Sequence, residues 1–298
     1  MKAYLTRFTI PSKATQEAAL EQAVNNRTCY KNLYPFHVFP GWEGESLTFG
    51  PITVLYGGNG SGKSTLLNLI GDKVGLARRS PYNRAAFFRD FVELCRCQGA
   101  ERVPQGSQVL TSDDVFDDLL DLRSLNDGID LARGELLGEY RSLRESGFQL
   151  KSLEEYDQLK RVIAAKRKSG SAFVRQEVGV NIRGKSNGET SFHYFTNRIT
   201  EGRLYLLDEP ENSLSAAYQR ELARFLEDSA RFYRCQFIVA THSPFLLAMK
   251  GAVVYNLDES PIAPCPWQEL PAVRAWYAFF RAHREELEAH GKGEGEWT

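Results

Sequence analysis

The sequence predicts an α/β fold: a mixed or parallel central sheet, an N-terminal β subdomain and a helical insertion. Three observations carry this. Short, continuous apolar runs (Ile52 to Tyr56, Arg203 to Leu207, Gln236 to Ala240 and Ala252 to Leu257) read as strands, several of them buried on both faces. Helical periodicity lies between them, as in the stretch that puts Tyr218, Leu222, Phe225 and Leu226 on one face. The first run also passes through a glycine-rich loop, Gly57 to Thr65, into Leu66-Leu67-Asn68-Leu69-Ile70, which reads as the opening of a helix. Strands that alternate with helices wind parallel sheets.

In chain order, Tyr4 to Ile10 alternates weakly and predicts a first strand, and Ala14 to Asn25 has helix-forming composition. Leu47-Thr48-Phe49 and Ile52 to Tyr56 predict strands on either side of the Gly50-Pro51 turn. A single domain, 1–298, is expected, with its core in 1–71 and 200–298 and a helical insertion at 72–199. Within the insertion, roughly 72–185 is charged and repeats apolar residues at helical spacing (Val115, Leu119, Leu122; Leu136, Tyr140, Leu143). A leg of about 25 residues would reach ~40 Å. No heptad run continues far enough for an extended coiled coil. The acidic run Asp113 to Asp118 reads as the outer face of an amphipathic helix. Pro271 to His290 predicts a last amphipathic helix with Val273, Trp276, Phe280 and Leu287 as its stripe.

With 298 residues the chain can bury a sizeable core, and a net charge of −1 gives it no global field toward nucleic acid or an anionic membrane. No apolar run approaches the ~20 residues of a spanning helix. Met1 to Phe8 lacks a signal-peptide core, and the five cysteines (Cys29, Cys95, Cys97, Cys235, Cys265) are odd in number and scattered. A cytoplasmic location with reduced thiols is the expectation. Cys95 and Cys97 read as strand or helix side chains rather than as a zinc knuckle.

Four elements carry chemistry. Gly57 to Thr65 fits G-x-x-x-x-G-K-[ST] in the strand–loop–helix context that the motif needs. Backbone amides of Asn59, Gly60, Ser61 and Gly62 would cradle phosphate at a helix N-terminus, with Thr65 following. Lys63 would neutralise the β- and γ-phosphates of ATP, and the Ser64 hydroxyl is placed for Mg²⁺. In the second element, Leu206-Leu207-Asp208-Glu209-Pro210, two carboxylates stand at the C-terminal end of a strand, the edge where open α/β sheets hold ligands. Asp208 would hold Mg²⁺ and Glu209 would act as general base. The third, Lys185 to Thr190, sets Ser186 and Gly188 before a helical segment, either as an anion site or as a capped loop. One phosphate group rarely needs two such sites, whereas two chains packed head to tail would use both. The fourth is Thr241-His242-Ser243 after the Phe237 strand, where His242 would contact a γ-phosphate.

These pieces, in this order, resemble an ABC-type P-loop ATPase. Gly57 to Thr65 resembles the Walker A loop, Leu204 to Glu209 the Walker B strand with catalytic glutamate, and Ser186 to Glu189 the LSGGQ loop. Asn212 to Ser215 resembles the D-loop and His242 the switch histidine. The likeness is clearest over 50–70 and 180–260. Lys185, Glu189 and Ser215 stand where transporter cassettes usually carry Leu, Gln and Asp. The chain therefore looks more like the soluble branch of SMC-like, RecF-like and small defence-linked "AAA family" ATPases. Gln98 is the candidate Q-loop glutamine. The resemblance implies ATP and Mg²⁺ as cofactors, Lys63, Glu209 and His242 as catalytic groups, and a homodimer in which each ATP lies under the partner copy's Ser186 and Gly188 loop.

Eight basic residues fall between Lys160 and Lys185: Lys160, Arg161, Lys166, Arg167, Lys168, Arg175, Arg183 and Lys185. They could bind nucleic acid, form a solvated helix face, or pair with the acidic segment. The expected function is thus an ATPase in nucleic-acid maintenance or antiviral defence. The alternative is an ATP-gated switch on a separate effector protein, a nuclease or toxin. A transporter motor is the weakest reading, and no membrane contact is expected.

Overall fold

The computed structural model describes residues 3–26, 29–148, 156–178 and 187–290. It divides into two compact units, Met1–Asp114 with Asn187–Thr298, and Val115–Ser186.

The first unit opens with β1 (Arg7–Thr9), α1 (Lys13–Asn26), β2 (Ser46–Thr48) and β3 (Ile52–Tyr56), and α2 (Lys63–Val74) follows the glycine-rich loop. Next come α3 (Phe88–Leu94), β4 (Arg96–Gln98) and β5 (Gln108–Thr111). A long helix, α4 (Ser112–Glu145), leads on to α5 (Tyr156–Arg167), α6 (Gly170–Glu177) and α7 (Asn187–Arg198). The chain returns through β6 (Leu204–Asp208), α8 (Ala216–Phe232), β7 (Gln236–Ala240), α9 (Pro244–Leu247) and β8 (Val253–Asn256). It ends with α10 (Pro271–Ala282) and α11 (Arg284–His290).

Five strands form a parallel sheet in the order β5-β6-β7-β3-β8. β7 lies between the strand that feeds the glycine-rich loop and the strand that ends in Asp208, because Ala240 stands in register with both Leu55 and Asp208. Their sequences explain the arrangement: β3 and β7 are buried at every residue, which suits a sheet covered on both faces. A three-stranded antiparallel sheet, β2-β1-β4, supplies the N-terminal β subdomain. Buried Gln236 at the start of β7 joins that subdomain to the parallel sheet. Its side chain accepts from the Leu5 amide at 2.9 Å and donates to the Leu5 carbonyl at 2.7 Å and the Gly50 carbonyl at 3.1 Å. One apolar cluster unites Phe8, Leu206, Ile238, Leu66 and Ile70 with Phe36, Phe39, Trp42 and Phe91. α8 covers the sheet with Leu222 and Leu226, each contributing about 1.5–3 kcal/mol by leaving water.

The second unit packs Tyr140, Ala165, Phe173 and Val174 together, with the Tyr140 and Phe173 rings 5.7 Å apart. The Tyr140 hydroxyl donates to the Lys168 carbonyl at 3.1 Å and accepts from Arg144 at 2.7 Å.

Four expectations change. The helical unit starts at Val115, whereas 72–114 and 187–199 belong to the first unit and supply a strand to each sheet and α7. α4 is one helix of 34 residues, about 50 Å long, so the reach expected of a helical leg was too short. Asp114 is not on an outer face. It is fully buried and accepts from the Ser80 amide (2.9 Å), the Ser80 hydroxyl and the Thr111 amide (2.8 Å). The tail forms two helices rather than one, and the aromatic side chains of Phe279 and Phe280 stay exposed.

Candidate nucleotide site

The glycine-rich loop leaves β3 and enters α2 through Gly62, which adopts φ +89°. A Cβ there would stand 2.7 Å from the Phe39 ring, so both backbone and space require glycine. Gly60, at φ +84°, has nothing within 4 Å of where a Cβ would be, and it keeps an open side for a ligand. The Gly58 amide is aimed by a 2.7 Å bond to Asp258. Thr65 accepts from the Tyr34 hydroxyl at 2.9 Å.

Lys63 is buried, and its ammonium donates to the loop's own carbonyls, Gly57 at 2.8 Å and Gly58 at 3.2 Å. The Ser64 hydroxyl donates to Asp208 Oδ1 at 3.0 Å, so the first turn of α2 touches the end of β6. Burial pushes the Asp208 carboxyl up to about 6. The Ser64 bond opposes this, Glu209 adds to it, and the Arg78 and Lys63 charges oppose it.

Glu209 follows with φ +47°, in the left-handed region. A non-glycine residue there costs about 1–3 kcal/mol and is held by its surroundings. Its amide donates to the Ala240 carbonyl at 2.9 Å. The turn sets Glu209 Oε1 3.7 Å from His242 Nε2 and 4.0 Å from Lys63 Nζ, while Oε2 accepts from Asn212 at 3.1 Å. His242 Nε2 is buried and has no hydrogen-bond partner among the described residues, and neither has the Ser61 hydroxyl. Buried, unpaired polar atoms on both sides of one sheet edge fit a polar ligand.

The structure thus gathers Gly57 to Thr65, Asp208, Glu209 and His242 at the C-terminal edge of β3, β6 and β7. Gly188 lies in the first turn of α7, where a Cβ would stand 3.2 Å from the Ser213 carbonyl. Ser186 lies outside the described residues. Gln98 ends β4 with an exposed side chain, and its carbonyl accepts from the Thr6 amide and hydroxyl. Of the basic residues, Arg161 pairs with Glu139 (3.0 Å) and Lys160 with Asp157 (3.2 Å), and Lys166 donates to the Ser146 carbonyl (3.1 Å). Arg183 and Lys185 lie outside the described residues.

Glu211 was not expected at the site. Its Oε1 accepts from the amides of His242 (2.6 Å) and Ser243 (3.2 Å), and burial pushes its carboxyl up. It fixes the turn after β7 to the turn after β6. The signal was present as a third carboxylate in Asp208-Glu209-Pro210-Glu211.

A hydroxyl and a carboxylate are hard oxygen donors, the set that shares Mg²⁺ with substrate phosphates. The residues therefore fit a magnesium nucleotide: Ser64 and Asp208 would hold the ion, and the loop amides and Lys63 the phosphates. No cluster of three or more metal-ligating side chains occurs among the described residues.

Residues 98–248 match the sequence profile of a family described as "AAA domain, putative AbiEii toxin, Type IV TA system". No curated protein matches the chain. Among solved structures, an SMC head domain from Thermotoga maritima is similar at TM-score 0.38 and 13% identity, covering 88% of this chain and 98% of that one. The Smc head of Pyrococcus furiosus, with an extended coiled coil and bound to the C-terminal domain of ScpA, gives 0.41 and 13%, covering 93% and 99%. A nucleotide-free ATP-binding cassette of an ABC transporter gives 0.41 and 12%, covering 92% and 98%. The profile spans just over half of the sequence. The chain therefore belongs to this AAA family.

Proposed function

We propose that the chain binds ATP with Mg²⁺, hydrolyses it, and closes head to tail with a second copy around the nucleotide. The observation that carries this reading is the meeting of Ser64, Asp208, Glu209, Lys63 and His242 at one sheet edge. Bound Mg²⁺ would neutralise charge on the phosphates as it develops. Lys63 exchanges its two loop carbonyls for phosphate oxygens. Glu209 accepts a proton from water, while Asn212 and the left-handed backbone orient its carboxylate. His242 presents a nitrogen with no other bond. The Ser186–Gly188 loop of the opposing copy is proposed to cover the phosphates. A γ-phosphate that binds the closed pair better than the open one supplies the free energy for closure.

Glu209→Gln tests this. It should retain nucleotide binding, lose about 10²–10⁴-fold in turnover and accumulate as a dimer visible by light scattering. Undiminished hydrolysis removes Glu209 from the base role.

The work done with ATP is proposed to be antiviral defence or nucleic-acid maintenance in the cytoplasm. The family's description, with its toxin and Type IV TA system, favours a second reading in which the ATPase gates a toxin or nuclease partner. A nucleic-acid contact would rest on the basic residues between Lys160 and Lys185. Reversing Lys166, Arg167 and Lys168 to Glu should abolish salt-dependent DNA or RNA affinity, and unchanged affinity in that variant leaves the effector reading.

A further inference from the structure

After α2 the chain turns at Gly75 and runs back past the helix, enclosing with it a cavity of about 440 Å³. Arg78, Arg79 and Arg84 line it against a single carboxylate, Asp72. Asp72 is already engaged, since it accepts from the Tyr82 hydroxyl and from Arg84 at 3.1 Å. Three guanidinium groups and one carboxylate thus line the cavity. Its guanidinium groups are also pre-arranged. Arg78 and Arg84 each stand 4.7 Å from the centroid of the Tyr82 ring, and Arg78 Nε donates to the Ser80 carbonyl at 2.9 Å. The floor is rigid, because buried Ser80 is fixed by amide and hydroxyl to Asp114. No residue of the glycine-rich loop lines this cavity.

Planar guanidinium forks match phosphate in two-point contacts, and a volume in the range of about 300–1,000 Å³ admits a nucleotide-sized group. We propose that this cavity is a second anion site, in which Arg78, Arg79 and Arg84 bind a phosphate-bearing ligand. The ligand is a diphosphate or phosphate monoester, either free or at the 5′ end of a nucleic acid. Arg78 also donates to Asn68, which holds it against α2.

The test is calorimetric titration of sodium pyrophosphate into the full chain carrying Lys63→Ala, which disables the glycine-rich loop. The same titration follows in Lys63→Ala with Arg79→Glu and Arg84→Glu. Both arginines are exposed, so the added charge reversals should leave the fold intact, and Arg79→Gln with Arg84→Gln repeats the measurement without new charge. Fluorescence anisotropy of 5′-phosphorylated and 5′-hydroxyl oligonucleotides of one sequence separates the sources. We expect pyrophosphate binding that weakens at least tenfold in both double replacements. Preference for the 5′-phosphorylated strand, lost in the same variants, assigns the ligand to a nucleic-acid end, and equal weak binding of both strands assigns it to a free phosphate compound. Absence of pyrophosphate binding, or binding unchanged by the arginine replacements, overturns the site. The inference does not rest on ATP hydrolysis: an inactive Glu209 or an empty nucleotide loop leaves this titration readable.

Discussion

The parallel-sheet unit and the helical unit bury their apolar side chains in opposite styles. β3, β6 and β7 are inaccessible almost throughout, and the residues that hold the site hang directly from their ends. In the helical unit a small aromatic and aliphatic cluster around Tyr140 is buried, while α4 leaves Leu120 59% and Leu131 70% exposed. Regions with few buried apolar contacts open at lower free energy than a packed core. The sheet thus supplies a rigid support for the candidate site, and the helical unit is more loosely packed.

Breaking each region at its centre tests the contrast. Leu206→Ala removes a fully buried side chain beside the Asp208 strand end, at a cost of about 2–5 kcal/mol. The whole core should destabilise and nucleotide binding should fall with it, as read by thermal unfolding with and without Mg-ATP. Tyr140→Ala should cost about 3 kcal/mol, but within the helical unit alone. Hydrogen exchange should rise over α5 and α6 while β3, β6 and β7 stay protected. Faster exchange in the sheet strands would show that the two units unfold as one.

A smaller effect should follow pH. Asp208 titrates near 6 in the fold, against 3.8 for a free side chain. A raised carboxyl value means that the folded chain holds the proton more tightly than the unfolded one. That stabilisation is complete below about pH 4 and is lost as the pH rises through about 6. Metal holding runs the other way, because it needs the carboxylate. Mg²⁺-dependent nucleotide affinity should therefore fall several-fold between about pH 7.5 and about pH 5.5. Affinity that is flat across this interval would remove Asp208 from the metal role. Asp208→Asn removes that buried charge and should stabilise the nucleotide-free fold at neutral pH, measured as a higher melting temperature.

Three of the elements with chemistry, at Gly57, Asp208 and Thr241, were legible because each joins a buried apolar run to a small set of polar residues at its end. Gln108 to Thr111 gave no such signal: four residues are too few to show a period, yet they pair along β6 as an edge strand. Asp114 was hidden by its neighbours. A run of aspartates suggests solvent, and only tertiary contact shows one of them bonded to Ser80 and Thr111. The length of α4 was masked by Gly128, Gly134 and Gly138, each of which lowers helix propensity by about 1 kcal/mol. The tail shows the converse. Its amphipathic stripe was visible, but periodicity does not say that a partner surface exists, and Phe280 remains open to solvent. The left-handed turn at Glu209 had no sequence cue, since a glutamate gives no warning of positive φ.

The posture of Lys63 has one more consequence. Because its ammonium is already satisfied by Gly57 and Gly58, an arriving phosphate replaces one pair of acceptors with another. Under the proposed nucleotide binding, capture would be a swap of partners rather than the filling of a void, its heat should be modest, and a preference for triphosphate over diphosphate would come from added negative charge.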